Sequence, residues 1–230
     1  LDSGSAQKLA GRSNFATQHL FYRMGRAMIR PIYAQQAMGN GAVGLRLMES
    51  LRWWRSVLCQ RICEKSSWKA DTRGVCRLFV DAASTPAHCA GVLVKDGLIY
   101  YTDVEPCEKL MHQSQNGGTS KSLHLEMIAI WLSIATFSRD LAHRKVVLYS
   151  DNQGAEHATA RGAARSFDQN AIIHKFWKLA FEHHIHLWVV RVDSESNISD
   201  CPSRGDHQIM KDINAIWRQP VLDELWSAQW

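Results

Sequence analysis

The chain has 230 residues, enough for one large domain or a domain with a substantial extension, and its 46% hydrophobic and 21% charged content is ordinary for a folded soluble protein. No apolar run approaches membrane-spanning length and no signal-peptide core opens the chain, so neither a membrane span nor a secretory leader is expected. The net charge of +5 conceals an asymmetry: residues 1–76 carry twelve Lys/Arg against four Asp/Glu, and residues 77–230 carry fifteen against eighteen.

The first region reads as helical. Arg12, His19, Arg23, Arg26 and Arg30 recur at steps of seven, four, three and four, and they share one face if the helix is continuous. Leu9, Ala16, Leu20, Ala27 and Met28 supply apolar positions, Gly25 is a potential break, and Pro31 ends the segment. Met38-Gly39-Asn40-Gly41 with Gly44 forms a loop. A second helix carries Leu47, Leu51, Trp54, Leu58 and Ile62 as a stripe that wants a partner surface. Its Trp residues are assigned to packing in preference to base stacking. The six cysteines (59, 63, 76, 89, 107 and 201) show no CxxC pair and no zinc-like spacing. Reduced thiols and an intracellular chain, cytoplasmic or nuclear, are therefore expected. Leu1 in place of Met reads as the start of a fragment of a longer polypeptide.

Residues 66–76 read as a polar linker, after which the pattern changes. Leu78 to Val80, Ala90 to Val94 and Leu98 to Thr102 are short strands, and Lys95-Asp96-Gly97 is a hairpin turn between the last two. Gly117-Gly118-Thr119 leads into a helix from Ser122 to Ser138 with Leu125, Ile128, Ala129 and Leu132 on its buried face. A fourth strand, Lys145 to Ser150, precedes helices at Gln153–Arg161 and Asp168–His183. The fifth strand, His186 to Val192, is nearly continuous in apolar residues and so reads as central or parallel. The fold class is α/β: a five-stranded mixed sheet flanked by helices, at residues 75–210, with a helical segment at 1–74 and a tail at 211–230.

Four acids stand where carboxylates can share a site. Asp81 and Asp151 each end an apolar run, Glu126 lies early in the crossover helix, and Asp200 starts the last helix. An Asp after a strand is usually a turn residue or a cap, so the weight lies in all four fitting one geometry. Gathered carboxylates bind divalent metals, and paired metals can clamp both oxygens of a phosphodiester displacement. The basic first region suits a phosphate-gripping platform, although a solvated basic surface has the same composition.

Val80-Asp81-Ala82-Ala83-Ser84, Leu123-His124-Leu125-Glu126, Tyr149-Ser150-Asp151-Asn152 and Ser196-Asn197-Ile198-Ser199-Asp200 resemble the four motifs of type 1 ribonuclease H. The ending Asn197-Ile198-Ser199-Asp200-Cys201-Pro202-Ser203-Arg204 resembles that of retroelement reverse transcriptases. Upstream, Lys8-Leu9-Ala10-Gly11-Arg12 and Gly25-Arg26-Ala27-Met28-Ile29-Arg30-Pro31-Ile32-Tyr33 resemble the connection to the polymerase in gypsy-like and tyrosine-recombinase elements. The resemblance implies a ribonuclease H-like fold, two Mg²⁺ ions (Mn²⁺ as the alternative), and hydrolysis of the RNA strand of an RNA–DNA hybrid. Asp81 and Asp151 would be central ligands, with Glu126 and Asp200 completing the metal shells. The polymerase domain of the same polyprotein would be a partner.

Ser84, Asn152 and Gln153 flank these acids and are candidates for contacts to the sugar–phosphate backbone, as turn chemistry alone would also place them. Arg12, Arg23, Arg26 and Arg30 would grip the duplex upstream, unless packing buries part of that stripe. The family's loop His before the last acid is absent: Asp193-Ser194-Glu195-Ser196 stands there. His183, His184 and His186 are assigned to a helix end and surface. Integrases place their Glu last, and proofreading exonucleases separate the first Asp and Glu by one residue; neither pattern occurs here. A non-catalytic connection domain, binding nucleic acid or a polymerase partner, is the alternative of a different class.

Overall fold

The computed structural model describes residues 1–19, 23–39, 41–60, 72–107 and 120–222. Ile62, the 66–71 part of the linker, Gly117-Gly118-Thr119 and the end of the tail lie outside these residues. Six strands form one mixed sheet in the order β5-β4-β1-β2-β3-β6. They are β1 (Val75–Ser84), β2 (Ala87–Lys95), β3 (Leu98–Val104), β4 (Lys145–Ser150), β5 (His186–Arg191) and β6 (Ile216–Trp217). β1, β2 and β3 are an antiparallel meander, whereas β4 pairs with β1, and β5 with β4, in parallel. This is the α/β mixed sheet flanked by helices that the sequence predicts, with six strands in place of the five expected.

The β2–β3 turn is tight because Asp96 and Gly97 both take positive φ, 51° and 80°, which matches the twist of the flanking strands. The bidentate bond from Arg144 to Asp96, at 2.8 and 2.7 Å, ties this turn to the start of β4. β5, read as central or parallel, is parallel and lies at the edge of the sheet. Leu187 and Val189 pack against the core, while Trp188 on the other face is 73% exposed. β6 carries too few residues to show a period of two. Its place is held by the Asp103 carboxylate of β3, which accepts from Trp217 Nε1 at 3.2 Å and also meets His88 and His207 Nε2 at 2.9 and 3.1 Å.

The crossover helix α4 (Lys121–Thr136) is capped by Ser120, whose side chain accepts from the Leu123 N–H at 3.3 Å. Its residues from His124 to Ala135 are buried all round, not on one face, because the helix lies between β1 and β2 on one side and α7 (Phe167–Glu182) on the other. The close approach to β2 depends on Gly91: a Cβ there would stand 2.0 Å from Ser133 Oγ and 2.9 Å from its Cβ. Ser133 is fully buried and donates to the Ala129 carbonyl, so it has little room to give. Gly91→Ala is therefore expected to destabilise the fold by about 2–3 kcal/mol, with a melting temperature lower by roughly 5–10 °C. Thermal melting of the single variant and of Gly91→Ala/Ser133→Ala checks this. An unshifted single variant would show that helix and strand separate freely.

The first region is helical but not continuous. α1 (Ser3–His19), α2 (Arg30–Met38) and α3 (Leu45–Cys59) form a separate apolar cluster around Ala10, Ile29, Ile32, Leu47 and Trp54. Between α1 and α2 the chain turns, with Arg23 and Gly25 at φ 57° and 91°, so the proposed single arginine face does not exist. In α3, Leu58 of the predicted stripe is 63% exposed and Val57 is buried in its stead. The cluster docks on α7: Trp53 meets the His174 ring edge-on at 5.0 Å, and the Arg23 guanidinium lies 6.0 Å from the Trp177 ring centroid. Short helices α5 (Ser138–Leu141), α6 (Gln153–Arg161), α8 (Asp200–Ser203) and α9 (Gln208–Asp212) complete the structure.

Candidate metal centre

The parallel β1–β4 ladder ends at Phe79 and Tyr149. Asp81 lies two residues beyond that end and Asp151 just past β4, so both carboxylates emerge where the two strands splay, as sites of αβ sheets usually do. Glu126 comes from the first turns of α4, which crosses behind β1. Carboxylate oxygens of Asp81, Glu126 and Asp151 lie within 4.8 Å of one another. Asp200 lines the same cleft, together with Ser84 and Ser194, but stands outside this group of three. Its carboxylate is held by Arg204, one turn later in the chain, with Nε and Nη2 at 3.0 and 2.8 Å.

Burial and mutual repulsion dominate the electrostatics of these acids. Burial, then the charges of Asp81 and Asp151, push Glu126 up to about 9. Burial likewise pushes Asp81 up to about 6; the hydrogen bond from Ser203 works against this, while Asp151 and Asp200 add to it. Glu126 Oε2 is buried with no hydrogen-bond partner. Such an atom ordinarily costs about 1–3 kcal/mol unless something meets it. Three converging carboxylates, one with an unmatched buried oxygen, fit a divalent cation of the hard, oxygen-seeking kind.

The last motif supports the cluster from below. Asn197 is buried and donates from Nδ2 to the Val80 carbonyl at 3.0 Å, and its Oδ1 accepts from Ser199 Oγ at 2.6 Å. This pins the loop to β1 one residue before Asp81. The fully buried Ser203 hydroxyl bonds to Asp81 Oδ2 and lies 2.8 Å from the Asp200 carbonyl oxygen. Ser194 donates to Asp151 Oδ2 at 2.7 Å, from the loop between β5 and α8. Sequence reasoning gave no role to either serine or to Arg204. Ser203 and Arg204 stand inside the recognised ending, and the four-residue spacing of Asp200 and Arg204 was a readable pair signal. Ser194 had no such signal, since its contact spans 43 positions.

The candidates for backbone contact divide. Ser84 is exposed at the cleft, its carbonyl accepting from Lys121 Nζ at 2.9 Å, and Gln153 is exposed at the start of α6. The Asn152 side chain caps α6, accepting from Gly154 and Ala155 N–H at 3.0 and 3.1 Å. Of the arginines, Arg12 and Arg30 are exposed. Arg26 Nη1 donates to the Arg161 carbonyl at 3.1 Å, and Arg23 packs beside Gly162 and Trp177. These two join the helical cluster to the sheet and do not form a stripe with the others. Their register along a helix could not reveal that, because the helix stops.

No protein-family profile matches this chain, and no curated protein matches it. Among solved structures it is similar to ribonuclease H1 of the halophilic archaeon Halobacterium salinarum NRC-1, at 14% identity and a TM-score of 0.37, over 54% of this chain and 89% of that one.

Proposed function

We propose that this chain is a metal-dependent endonuclease that hydrolyses the RNA strand of RNA–DNA hybrids, within a retroelement reverse transcriptase. The observation that carries the reading is the convergence of Asp81, Glu126 and Asp151 around the unmatched Glu126 Oε2. On this reading Asp81 and Asp151 are the central ligands, Glu126 holds one ion from the helix side, and Asp200 joins them once Arg204 yields. Two Mg²⁺ ions, or Mn²⁺ in their stead, supply the positive charge that a phosphodiester transition state needs. The protein's own part is orientation. Ser203 fixes the Asp81 carboxylate, Ser194 fixes Asp151, and Asn197 holds both loop and strand. Ser84 and Gln153 would meet the sugar–phosphate backbone from the cleft rim, with Arg12 and Arg30 gripping farther off.

Residues 1–74 are then the connection to a polymerase domain, residues 75–210 the nuclease and 211–230 a tail, and the site of action is the cytoplasm or nucleus. No helix among the described residues is long and apolar enough to cross a membrane. The test is cleavage of an end-labelled RNA–DNA hybrid with Mg²⁺, beside single-stranded RNA and duplex DNA, in wild type and Asp151→Asn. Hybrid-selective cutting that vanishes in the variant is the expected result. Equal binding by both proteins without cutting would make the chain a non-catalytic connection module.

A further inference from the structure

The helical cluster and the sheet-bearing region enclose a cavity of about 400 Å³ that the carboxylate site does not use. Ala27, Met28, Pro31 and Ala171 give its lining an apolar part. Three arginines line it as well: Arg30 from α2, Arg46 from α3 and Arg165 from the turn before α7. Glu49 is the one acid on its lining. Arg30 and Arg165 make no ion pair among the described residues. The Arg46 guanidinium carbon lies over the Phe167 ring, 3.9 Å from its centroid, so the ring backs the cation.

The position of Arg165 is built into the fold. Asn170, only 7% exposed, accepts from the Ala164 N–H at 2.9 Å. It donates to the Ala164 and Ser166 carbonyls at 2.8 and 2.7 Å, bracketing Arg165 on both sides. A concave, partly apolar site of this size with a few fixed polar groups is suited to a small ligand or a single unit of a polymer. We infer that the cavity binds one nucleotide, its base stacked on the Arg46 guanidinium that Phe167 backs and its phosphate between Arg30 and Arg165. An aromatic ring alone would leave two guanidinium groups unmatched, and a phosphate alone would leave the apolar part of the lining bare. Glu49 supplies an acceptor for an amino group on the base. The nucleotide is either free or the unpaired end of a strand.

Isothermal titration of the full chain in EDTA tests this apart from the carboxylate cluster. The probes are AMP, adenosine, inorganic phosphate and a 5′-phosphorylated DNA tetranucleotide. AMP is expected to bind at least about tenfold more tightly than adenosine or phosphate. Arg165→Gln is expected to weaken AMP about tenfold and leave adenosine unchanged, and Arg46→Gln to weaken AMP and adenosine alike. Thermal melting shows that each variant is folded, and Arg30→Gln replaces any that is not. A tetranucleotide that binds more tightly than AMP assigns the site to strand ends, and equal affinity assigns it to free nucleotides. No AMP binding, AMP binding indifferent to the arginine variants, or phosphate binding as tightly as AMP overturns the inference. None of these outcomes bears on cleavage at Asp151.

Discussion

Glu126→Gln is expected to abolish cleavage, by a factor of about a thousand or more, while leaving the melting temperature of the metal-free protein at neutral pH unchanged. The two halves have one cause. With its carboxyl pushed up to about 9 by burial and by Asp81 and Asp151, metal-free Glu126 is protonated at neutral pH, and a glutamine amide matches that neutral group in size and polarity. The fold therefore does not register the change. A cation does, because it loses one of three convergent oxygens and faces an amide in place of a negative charge. Titration with Mn²⁺, hybrid cleavage and thermal melting measure the three quantities in one preparation. Retention of cleavage within about tenfold would remove Glu126 from the machinery. A large loss of stability would make it a structural residue.

The second large effect is a loss of stability with rising pH that a divalent cation reverses. Asp81 and Glu126 have folded values of about 6 and about 9, above the ordinary values of 3.8 and 4.5. Between the unfolded and folded values the native state holds protons that the unfolded chain has lost. Stability therefore falls as pH rises, starting near pH 4 and ending near pH 9. Below the unfolded values both states are protonated and the contribution is fully present. The metal-free protein is expected to melt on the order of 10 °C lower near pH 9 than near pH 5, and saturating Mg²⁺ to recover most of the difference. Asp81→Asn/Glu126→Gln should flatten the profile and remove the response to Mg²⁺. A metal-free profile that rises over this range, or a double variant that keeps the wild-type slope, would contradict the assignment of the repulsion to these two groups.

Period and punctuation determined much of this protein from the chain alone. The strand from Lys145 to Ser150, the Asp96-Gly97 turn and the helix from Gln153 to Arg161 are local, and each appears in the structure at its predicted place. Asp151 and Asp200 were legible for the same reason, since they follow a strand and start a helix, whereas Asp81 lies inside β1 and Glu126 in the second turn of α4. What lay beyond reach depends on partners distant in the chain. Trp188 is 73% exposed on the edge strand β5, and two-residue β6 is held by Asp103, which receives Trp217 across 114 positions. The arginine stripe failed because helical periodicity carries no knowledge of where a helix stops; Arg23 and Arg26 found ring and carbonyl partners on another element. At the site, the chain specified which carboxylates exist and roughly where they emerge. Only tertiary packing decided that Asp81, Glu126 and Asp151 meet while Asp200 is turned toward Arg204, and that burial holds Glu126 protonated. Distance, desolvation and competing partners are properties of the folded whole, and no window of sequence contains them.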